Sequence, residues 1–310
     1  MKTGRRLVLL LKCGLAVLLV ACIVGSVTYF GKAHGGQASQ PALNFESMSP
    51  IERQAWDVAS EVAGSSKKAQ EQFVSQLLDL YYKVKDHDFA LFYTAGGWGK
   101  KPLEADTQGQ TWLVGIESEL TSLGYNYCEI EDIRTGKGLL DYFFELKEQL
   151  THYPSKAKQL AAKIDFLTEH VSGLKVIITG QSNGAAFAGE VISRLQANPE
   201  VYSIQIGIPF WQRVSKTARS LVIDNNGVGA DSLTKLDIVR LVKANLVRLF
   251  ILNKAPAFTP FDWLVTRAVL VFLPYNFGLG MEAPGHDYLW QYPGVGPVIE
   301  SFLVKNFSLK

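Results

Sequence analysis

The sequence has few of the residues that build cross-linked or metal-rich proteins. Only 3 of its 310 residues are cysteine, which excludes a disulfide scaffold and a cysteine-rich zinc module. Charged residues make up only 19% of the chain, and 31 Lys and Arg against 29 Asp and Glu leave a formal charge of +2. This balance predicts no broad basic surface for nucleic acid. The hydrophobic content of 47% is too high for a disordered chain.

Sequence motifs for cofactors are also missing. We find no metal-ligand constellation, no phosphate loop and no dinucleotide-binding fingerprint. The sequence therefore predicts a protein without a metal or an organic cofactor. None of its patterns predicts an oligomeric state.

One long hydrophobic run is present, in residues 13–30. As a helix it would extend roughly 27 Å, close to the roughly 30 Å of bilayer hydrocarbon, and it is longer than the apolar region of a cleavable signal. Because lysines and arginines precede it, we expect residues 1–30 to be a membrane anchor with the following domain outside the cytoplasm. The alternative is a lipoprotein signal, since residues 19–22 resemble a lipobox in which Cys22 would carry the lipid.

The sequence after the anchor divides into a linker and a domain. Residues 31–48 are rich in Gly, Ser, Gln, Ala and Pro and have no periodicity, which is typical of a flexible linker. Residues 49–310 are predicted to form one domain. It begins with a helix start, because Ser49 suits the N-cap, Pro50 the first helical position and Glu52 a capping box. A second amphipathic helix is expected around Phe73 and Leu77.

Strand and helix patterns then alternate along the chain. Strands are predicted at 89–94, 126–131, 174–179, 202–210 and 220–224. Helices are predicted around 112–120, 139–150, 155–171, 185–196 and 298–302. This alternation predicts an α/β fold with a mostly parallel sheet and helices on both faces. The apolar stretch 264–273 is interpreted as a core helix, or alternatively as a cap over the active site.

The strongest candidate for chemistry lies at a strand-to-helix junction. The predicted strand 174–179 is followed by Gly180-Gln181-Ser182-Asn183-Gly184. A sharp turn of this kind strains the backbone of the serine, and the flanking glycines leave room where a side chain would collide. The turn would expose the Ser182 hydroxyl at a helix N-terminus, which favours developing negative charge. Ser182 is the predicted nucleophile, and the alternative is a glycine-rich turn whose serine merely caps the helix.

A nucleophilic serine needs a histidine base and a carboxylate that orients the histidine. Of the five histidines only His286 follows Ser182, which matches the chain order nucleophile, acid, histidine of nucleophile-elbow enzymes. The acid is then expected between these two residues. Asp231, on a glycine-rich loop after a predicted strand, is the first choice and Asp224 the second. Two further candidates are Asp237 and Asp262.

Acyl transfer also needs hydrogen-bond donors for the oxyanion of the tetrahedral intermediate. The backbone N–H of Asn183, directly after the nucleophile, is one predicted donor. The other is expected from the loop after strand 89–94, at Ala95 and Gly96, where glycines permit close backbone approach. Trp98 is a candidate wall of the acyl pocket. The alternative is an ordinary glycine turn with a core tryptophan.

The elbow, the early glycine-rich loop and the late histidine together resemble the α/β-hydrolase superfamily, in particular its serine esterases and lipase-like members. The resemblance covers about residues 89–310, so the first two helices lie outside it. It implies that Ser182 attacks a small-molecule or lipid ester, that His286 transfers the proton and that Asp231 orients the histidine. Two positions depart from the family pattern: Gln181 stands where histidine is frequent, and the early loop reads Thr-Ala-Gly-Gly rather than His-Gly-Gly-Gly. An acyltransferase with the same residues, or a non-catalytic binding or scaffold protein, are the alternatives.

Overall fold

The computed structural model describes residues 48–136, 138–251 and 282–308. The predicted anchor at 1–30, the linker up to residue 47, Asp262 and the apolar stretch 264–273 lie outside the described residues. Within the described ranges, no helix is both long and apolar enough to cross a membrane.

Two helices precede the sheet, and the predicted capping box starts the first of them. The backbone N–H of Ser49 donates to Oε2 of Glu52 at 2.7 Å, and the N–H of Glu52 donates to Oγ of Ser49 at 3.4 Å. The helices are α1 (Pro50–Val62) and α2 (Lys67–Val84). Ala55 and Ala59 of α1 and Phe73 and Leu77 of α2 are buried, as the helical spacing predicted.

Five parallel strands form the sheet. They are β1 (Phe89–Thr94), β2 (Tyr127–Asp132), β3 (Lys175–Gln181), β4 (Val201–Ile206) and β5 (Ser220–Ile223), in the spatial order β2-β1-β3-β4-β5. All six residues of β1 are buried, as expected for a central strand covered on both faces. The predicted parallel α/β architecture is confirmed.

Helices cover both faces of this sheet. The remaining helices are α3 (Thr107–Ser122), α4 (Leu139–Leu150), α5 (Lys156–His170), α6 (Asn183–Arg194), α7 (Ile238–Ile251) and α8 (Gly296–Phe307), with a 3₁₀ turn at Leu103–Ala105. Successive side chains of a strand point to opposite faces, so Ala90 and Phe92 join a core with α1, α2, α5 and α6. Leu91 and Tyr93 join a second core with α3 and α8.

The strand ends differ from the predictions where the backbone leaves the sheet. The strand predicted at 202–210 ends at Ile206, because Gly207 takes φ +61° and Pro209 follows. The strand predicted at 220–224 ends at Ile223, which leaves Asp224 outside the sheet. The helix predicted from residue 185 begins at Asn183. Since Gln181 pairs with Ile206, β3 and β4 end side by side at the carboxyl edge.

Candidate active site

Ser182 is the single residue between β3 and α6. Its backbone angles are φ 57° and ψ −126°, a region that non-glycine residues rarely occupy and that costs about 1–3 kcal/mol. Its N–H donates to the carbonyl of Ile206 at 2.9 Å. Within the part of the chain that the structure describes, its half-buried side chain makes no capping hydrogen bond to α6. Ser182 therefore occupies the N-cap position of α6 without capping the helix through its side chain.

The two flanking glycines are required because the end of β1 lies against the turn. A Cβ atom on Gly180 would stand 2.3 Å from Oγ1 of Thr94, and one on Gly184 would stand 2.2 Å from the carbonyl oxygen of Thr94. The hydroxyl of Thr94 also donates to the carbonyls of Thr179 and Gly184 at 3.0 and 2.9 Å. Close packing at this point explains the Gly-x-Ser-x-Gly spacing.

Replacing Gly184 with alanine is expected to lower the free energy of unfolding by about 3 kcal/mol, because the new methyl group meets backbone that cannot move aside. Chemical denaturation measures this loss. The matched control is Gly229→Ala, on a turn where nothing lies within 4 Å of the new Cβ, which is expected to change stability by less than about 0.5 kcal/mol. Equal effects of the two substitutions would contradict the packing argument.

His286 and Asp231 form a hydrogen-bonded pair. Nδ1 of His286 lies 2.8 Å from Oδ2 of Asp231, and the aspartate is completely buried. Its other oxygen, Oδ1, accepts the backbone N–H groups of Leu233 and Thr234 at 2.7 and 3.1 Å. Burial alone would raise the pKa of Asp231, but hydrogen bonds from His286, Tyr288 and Leu233 together with the histidine charge outweigh it, so that the pKa lies below its usual value.

The charge state of Asp231 fixes the tautomer of the histidine. An ionised carboxylate can only accept hydrogen bonds, so the proton of neutral His286 lies on Nδ1 and faces Asp231. Nε2 then carries the free lone pair, which is the atom a general base needs.

The other two described acid candidates have different partners. The carboxylate of Asp224 is exposed and pairs with Nζ of Lys235 at 3.1 Å. Oδ1 of Asp237 accepts the backbone N–H of Arg240 at 3.0 Å, at the start of α7. The structure thus brings Asp231 to His286, and it joins neither Asp224 nor Asp237 to that histidine.

The imidazole of His286 lies beside the end of β4, next to the serine turn. A Cβ on Gly207 would stand 3.0 Å from Cε1 of His286, and Gly207 directly follows the residue that pairs with the end of β3. Neighbouring strands are about 4.8 Å apart, so the ring contacts the strand end that lies beside the Ser182 backbone. Nε2 is buried and has no hydrogen-bond partner among the described residues, the Ser182 hydroxyl included.

A pair of glutamines ties the histidine segment to the elbow. Nε2 of Gln181 donates to the carbonyl of His286 at 3.1 Å and to Oε1 of Gln108 at 3.0 Å. The same oxygen of Gln108 accepts the backbone N–H of Tyr288 at 3.0 Å. Gln181, which departs from the family pattern, therefore fixes the main chain beside the candidate base. Sequence reasoning assigned it no role because its partners are up to 105 positions away along the chain.

The early glycine-rich loop contacts the serine turn, as an oxyanion site requires. A Cβ on Gly96 would stand 3.0 Å from the carbonyl oxygen of Gln181 and 3.9 Å from Cβ of Ser182. Asn183 is the first residue of α6, so its N–H has no acceptor within the helix. The predicted donors Ala95, Gly96 and Asn183 therefore belong to two segments in contact. The ring of Trp98, half-buried, packs edge-on against Tyr142 of α4.

A network of buried polar side chains forms hydrogen bonds with this loop. Nε2 of Gln149 donates to the carbonyl of Gly97 at 3.0 Å, and its Oε1 accepts Nδ2 of Asn183 at 3.0 Å. One helical turn earlier, the buried carboxylate of Glu145 pairs with Arg134 at 3.2 Å and Lys156 at 2.6 Å. Sequence reasoning missed Gln149, since a polar residue on an amphipathic helix is usually exposed. The one signal in the sequence is that Gln149 follows Glu145 by four residues, which places both side chains on the same face of the helix.

Two other features lie apart from these residues. A cavity between the 3₁₀ turn, α3 and β2 is lined by Pro102, Leu103, Gln110, Leu113, Glu129 and Glu131 among others, and it includes none of the candidate catalytic residues. The thiol of Cys128 is buried in a strand, and burial raises its pKa. In the described ranges, no group of three or more His, Cys, Asp and Glu side chains is arranged to hold a metal ion.

Comparisons with known proteins give only distant likenesses. No protein-family model matches the chain, and no curated protein sequence matches it significantly. Among solved structures it is similar to a Trichoderma reesei cutinase in complex with a C11Y4 phosphonate inhibitor, with 12% identity and a TM-score of 0.36, over 60% of this chain and 78% of the cutinase. It is also similar to the lac repressor bound to ONPG and to the lac repressor dimer bound to operator and ONPF, each with 14% identity, a TM-score of 0.25 and coverage of 48% of the repressor chain and 61% or 62% of this one. All three TM-scores are below 0.5, so these likenesses are too distant to indicate a function.

Proposed function

We propose that this domain is a serine hydrolase of the α/β-hydrolase type, which cleaves carboxylic esters through an acyl-enzyme. The observation that carries the proposal is the backbone of Ser182, held at φ 57° and ψ −126° at a strand-to-helix turn. Strained residues persist only where the surrounding structure enforces them, and they cluster at active sites. At the end of the neighbouring strand lies the His286–Asp231 pair, whose aspartate is buried, and a hydrogen-bonded pair of this kind is what activates a serine.

The chemistry follows from the positions of these groups. Oγ of Ser182 attacks the ester carbonyl carbon while Nε2 of His286 takes the hydroxyl proton. The carbonyl π electrons move to the oxygen, and the N–H groups of Asn183 and the Ala95–Gly96 loop stabilise that oxyanion. The C–O bond to the leaving group then breaks, and the departing alkoxide takes the proton from Nε2. Water then attacks the acyl carbon in the same way, with Nε2 of His286 again taking the proton. This step releases the acid and regenerates Ser182.

Two features of the site argue against a domain that only binds its ligand. The strained serine backbone costs about 1–3 kcal/mol, and Nε2 of His286 makes no hydrogen bond to any described residue. A binding module gains nothing from either feature. A hydrolase uses both, because the strain presents the hydroxyl and a nitrogen that no described residue engages can receive its proton.

Membrane tethering through residues 1–30, with the domain outside the cytoplasm, stays a prediction from the sequence. It is supported by the positive charges before an uncharged run of membrane-spanning length. The lipoprotein alternative at Cys22 stays with it.

A fluorophosphonate probe tests the proposed function directly. The probe reacts with an activated serine and leaves a phosphonyl adduct on its oxygen. We expect mass spectrometry of the digested protein to find the adduct on the peptide that contains Ser182, and p-nitrophenyl esters to be hydrolysed. A folded protein, judged by circular dichroism, that takes no label and hydrolyses no ester would refute the hydrolase and favour the binding module.

Asp231→Asn tests the assignment of the acid. An asparagine amide can donate to Nδ1, so it favours the tautomer whose Nε2 carries the proton and cannot act as a base. We expect kcat to fall by about 10⁴-fold with the fold retained. The matched control is Asp224→Asn, whose exposed carboxylate pairs with the surface residue Lys235 and whose loss should leave kcat near wild type. A larger effect at Asp224 than at Asp231 would reverse the assignment.

A further inference from the structure

Tyr288 makes a contact with the acid that the catalytic scheme does not require. Its hydroxyl donates to Oδ2 of Asp231 at 2.6 Å, and this is the same oxygen that faces Nδ1 of His286 at 2.8 Å. The tyrosine side chain is completely buried. It stands two residues after His286, so the base and the second donor reach the carboxylate from one segment.

We propose that Tyr288 is a positioning residue that limits the basicity of His286 by sharing Oδ2 of Asp231. This inference rests on the proposed function and deepens it. Two donors on one carboxylate oxygen each weaken the other, because both draw on the same electron density. The positive end of the tyrosine O–H dipole also lies next to the place where positive charge appears when the imidazole is protonated. Both effects make the imidazolium less stable than it would be beside an aspartate that accepts no tyrosine hydroxyl.

The hydroxyl remains a donor throughout the working pH range. Burial, with the neighbouring Asp231 carboxylate, raises the pKa of Tyr288 far above its usual value, so the phenol does not ionise. Other charged groups around the pair have partners of their own. Asp287 accepts the hydroxyl of Tyr292 at 2.7 Å, Asp224 pairs with Lys235 at 3.1 Å, and Nη1 of Arg240 donates to the carbonyl of Ala230 at 2.8 Å.

Removing the hydroxyl alone separates this role from packing. The tyrosine ring fills the space at Gly207, where a Cβ would stand 2.7 Å from its Cε2 atom, and its backbone N–H donates to Gln108. Phenylalanine keeps both contacts. Tyr288→Phe therefore deletes one donor to Asp231 and leaves the ring and the main chain in place.

The experiment compares Tyr288→Phe with Tyr292→Phe, a matched loss of a tyrosine-to-aspartate hydrogen bond in the same segment. For each we would measure the pH dependence of kcat/KM and the proton NMR signal of the His286 Nδ1–H. In Tyr288→Phe the acid limb of the profile should move to higher pH by about one unit, because the imidazole protonates more readily. The Nδ1 proton should move downfield, since Oδ2 becomes a stronger acceptor. Tyr292→Phe should change neither.

A further variant tests the sign of the effect. Incorporating 3-fluorotyrosine at position 288 makes the phenol a stronger donor, so the acid limb should move to lower pH and the Nδ1 proton upfield. The fluorotyrosine protein also provides the test of the proposal if the Tyr288→Phe variant does not fold. An unchanged Nδ1 signal in the folded variants, or shifts of the opposite sign, would overturn the proposal. If the NMR shifts occur as expected but neither the wild type nor any variant hydrolyses esters, the proposed function fails. The sharing of Oδ2 by Tyr288 and His286 then still stands.

Discussion

Replacing Ser182 with alanine is expected to lower kcat for ester hydrolysis by roughly 10⁵–10⁶-fold and to abolish fluorophosphonate labelling. The reason is that the substitution removes the only atom that forms the acyl-enzyme. Alanine and serine have the same Cβ, so the strained turn at φ 57° is neither relieved nor worsened, and the fold should be retained. Residual acceleration over water is expected because the oxyanion donors and substrate contacts remain.

The control for this prediction is Ser193→Ala. Ser193 lies on the helix that begins next to Ser182, and its hydroxyl donates to the carbonyl of Glu190 at 2.8 Å. Its loss should leave kcat and labelling at wild-type levels. Turnover and labelling that persist in Ser182→Ala would show that the nucleophile is another residue.

Replacing His286 with alanine is expected to cause a loss of similar size, because the serine hydroxyl then has no base to receive its proton. Asp231 cannot replace the histidine, since its Oδ1 already accepts two backbone N–H groups and its Oδ2 accepts the hydroxyl of Tyr288. These three donors also keep the buried carboxylate hydrogen-bonded, so the variant should fold. Steady-state kinetics on a p-nitrophenyl ester measures the loss.

Free imidazole should restore part of the activity of His286→Ala, because it can enter the vacated space and accept the proton at the same place. The control is His170→Ala. That histidine stacks on Phe166 and contacts Gln54, on helices away from the elbow, and its loss should not change kcat. Full activity in His286→Ala would reject this residue as the base.

Much of the fold could be predicted because the signals are local. The capping box at Ser49, the apolar run of β3 and the helical spacing around Phe73 each depend on residues within a few positions of one another. The turn at Ser182 was predicted from a local five-residue pattern, although the contact with Thr94 that requires its glycines spans up to 90 positions. Errors occurred where a single backbone angle ended an element, as at Gly207, whose φ of +61° no periodicity reveals.

The contacts around the candidate site were harder to foresee. Gln149 meets Asn183 across 34 positions, Asp231 meets Tyr288 across 57, and Gln181 meets His286 across 105. Each of these contacts joins two segments that are far apart in the chain and close together in the fold. From the sequence, polar side chains of this kind are assigned to the surface. They are recognised as part of the candidate site only because the fold buries them.

The sequence alone determined the parallel α/β order, the turn that strains Ser182 and the chain order in which His286 follows it. These depend on short-range sterics and on hydrophobic periodicity, which act between residues close in the chain. Only the tertiary structure decided that Asp231 rather than Asp224 meets the histidine, and that Tyr288 shares the same carboxylate oxygen. The physical reason is that hydrogen bonding and desolvation depend on distance in space: Asp231 is enclosed with three donors besides the histidine, while Asp224 faces solvent beside a lysine.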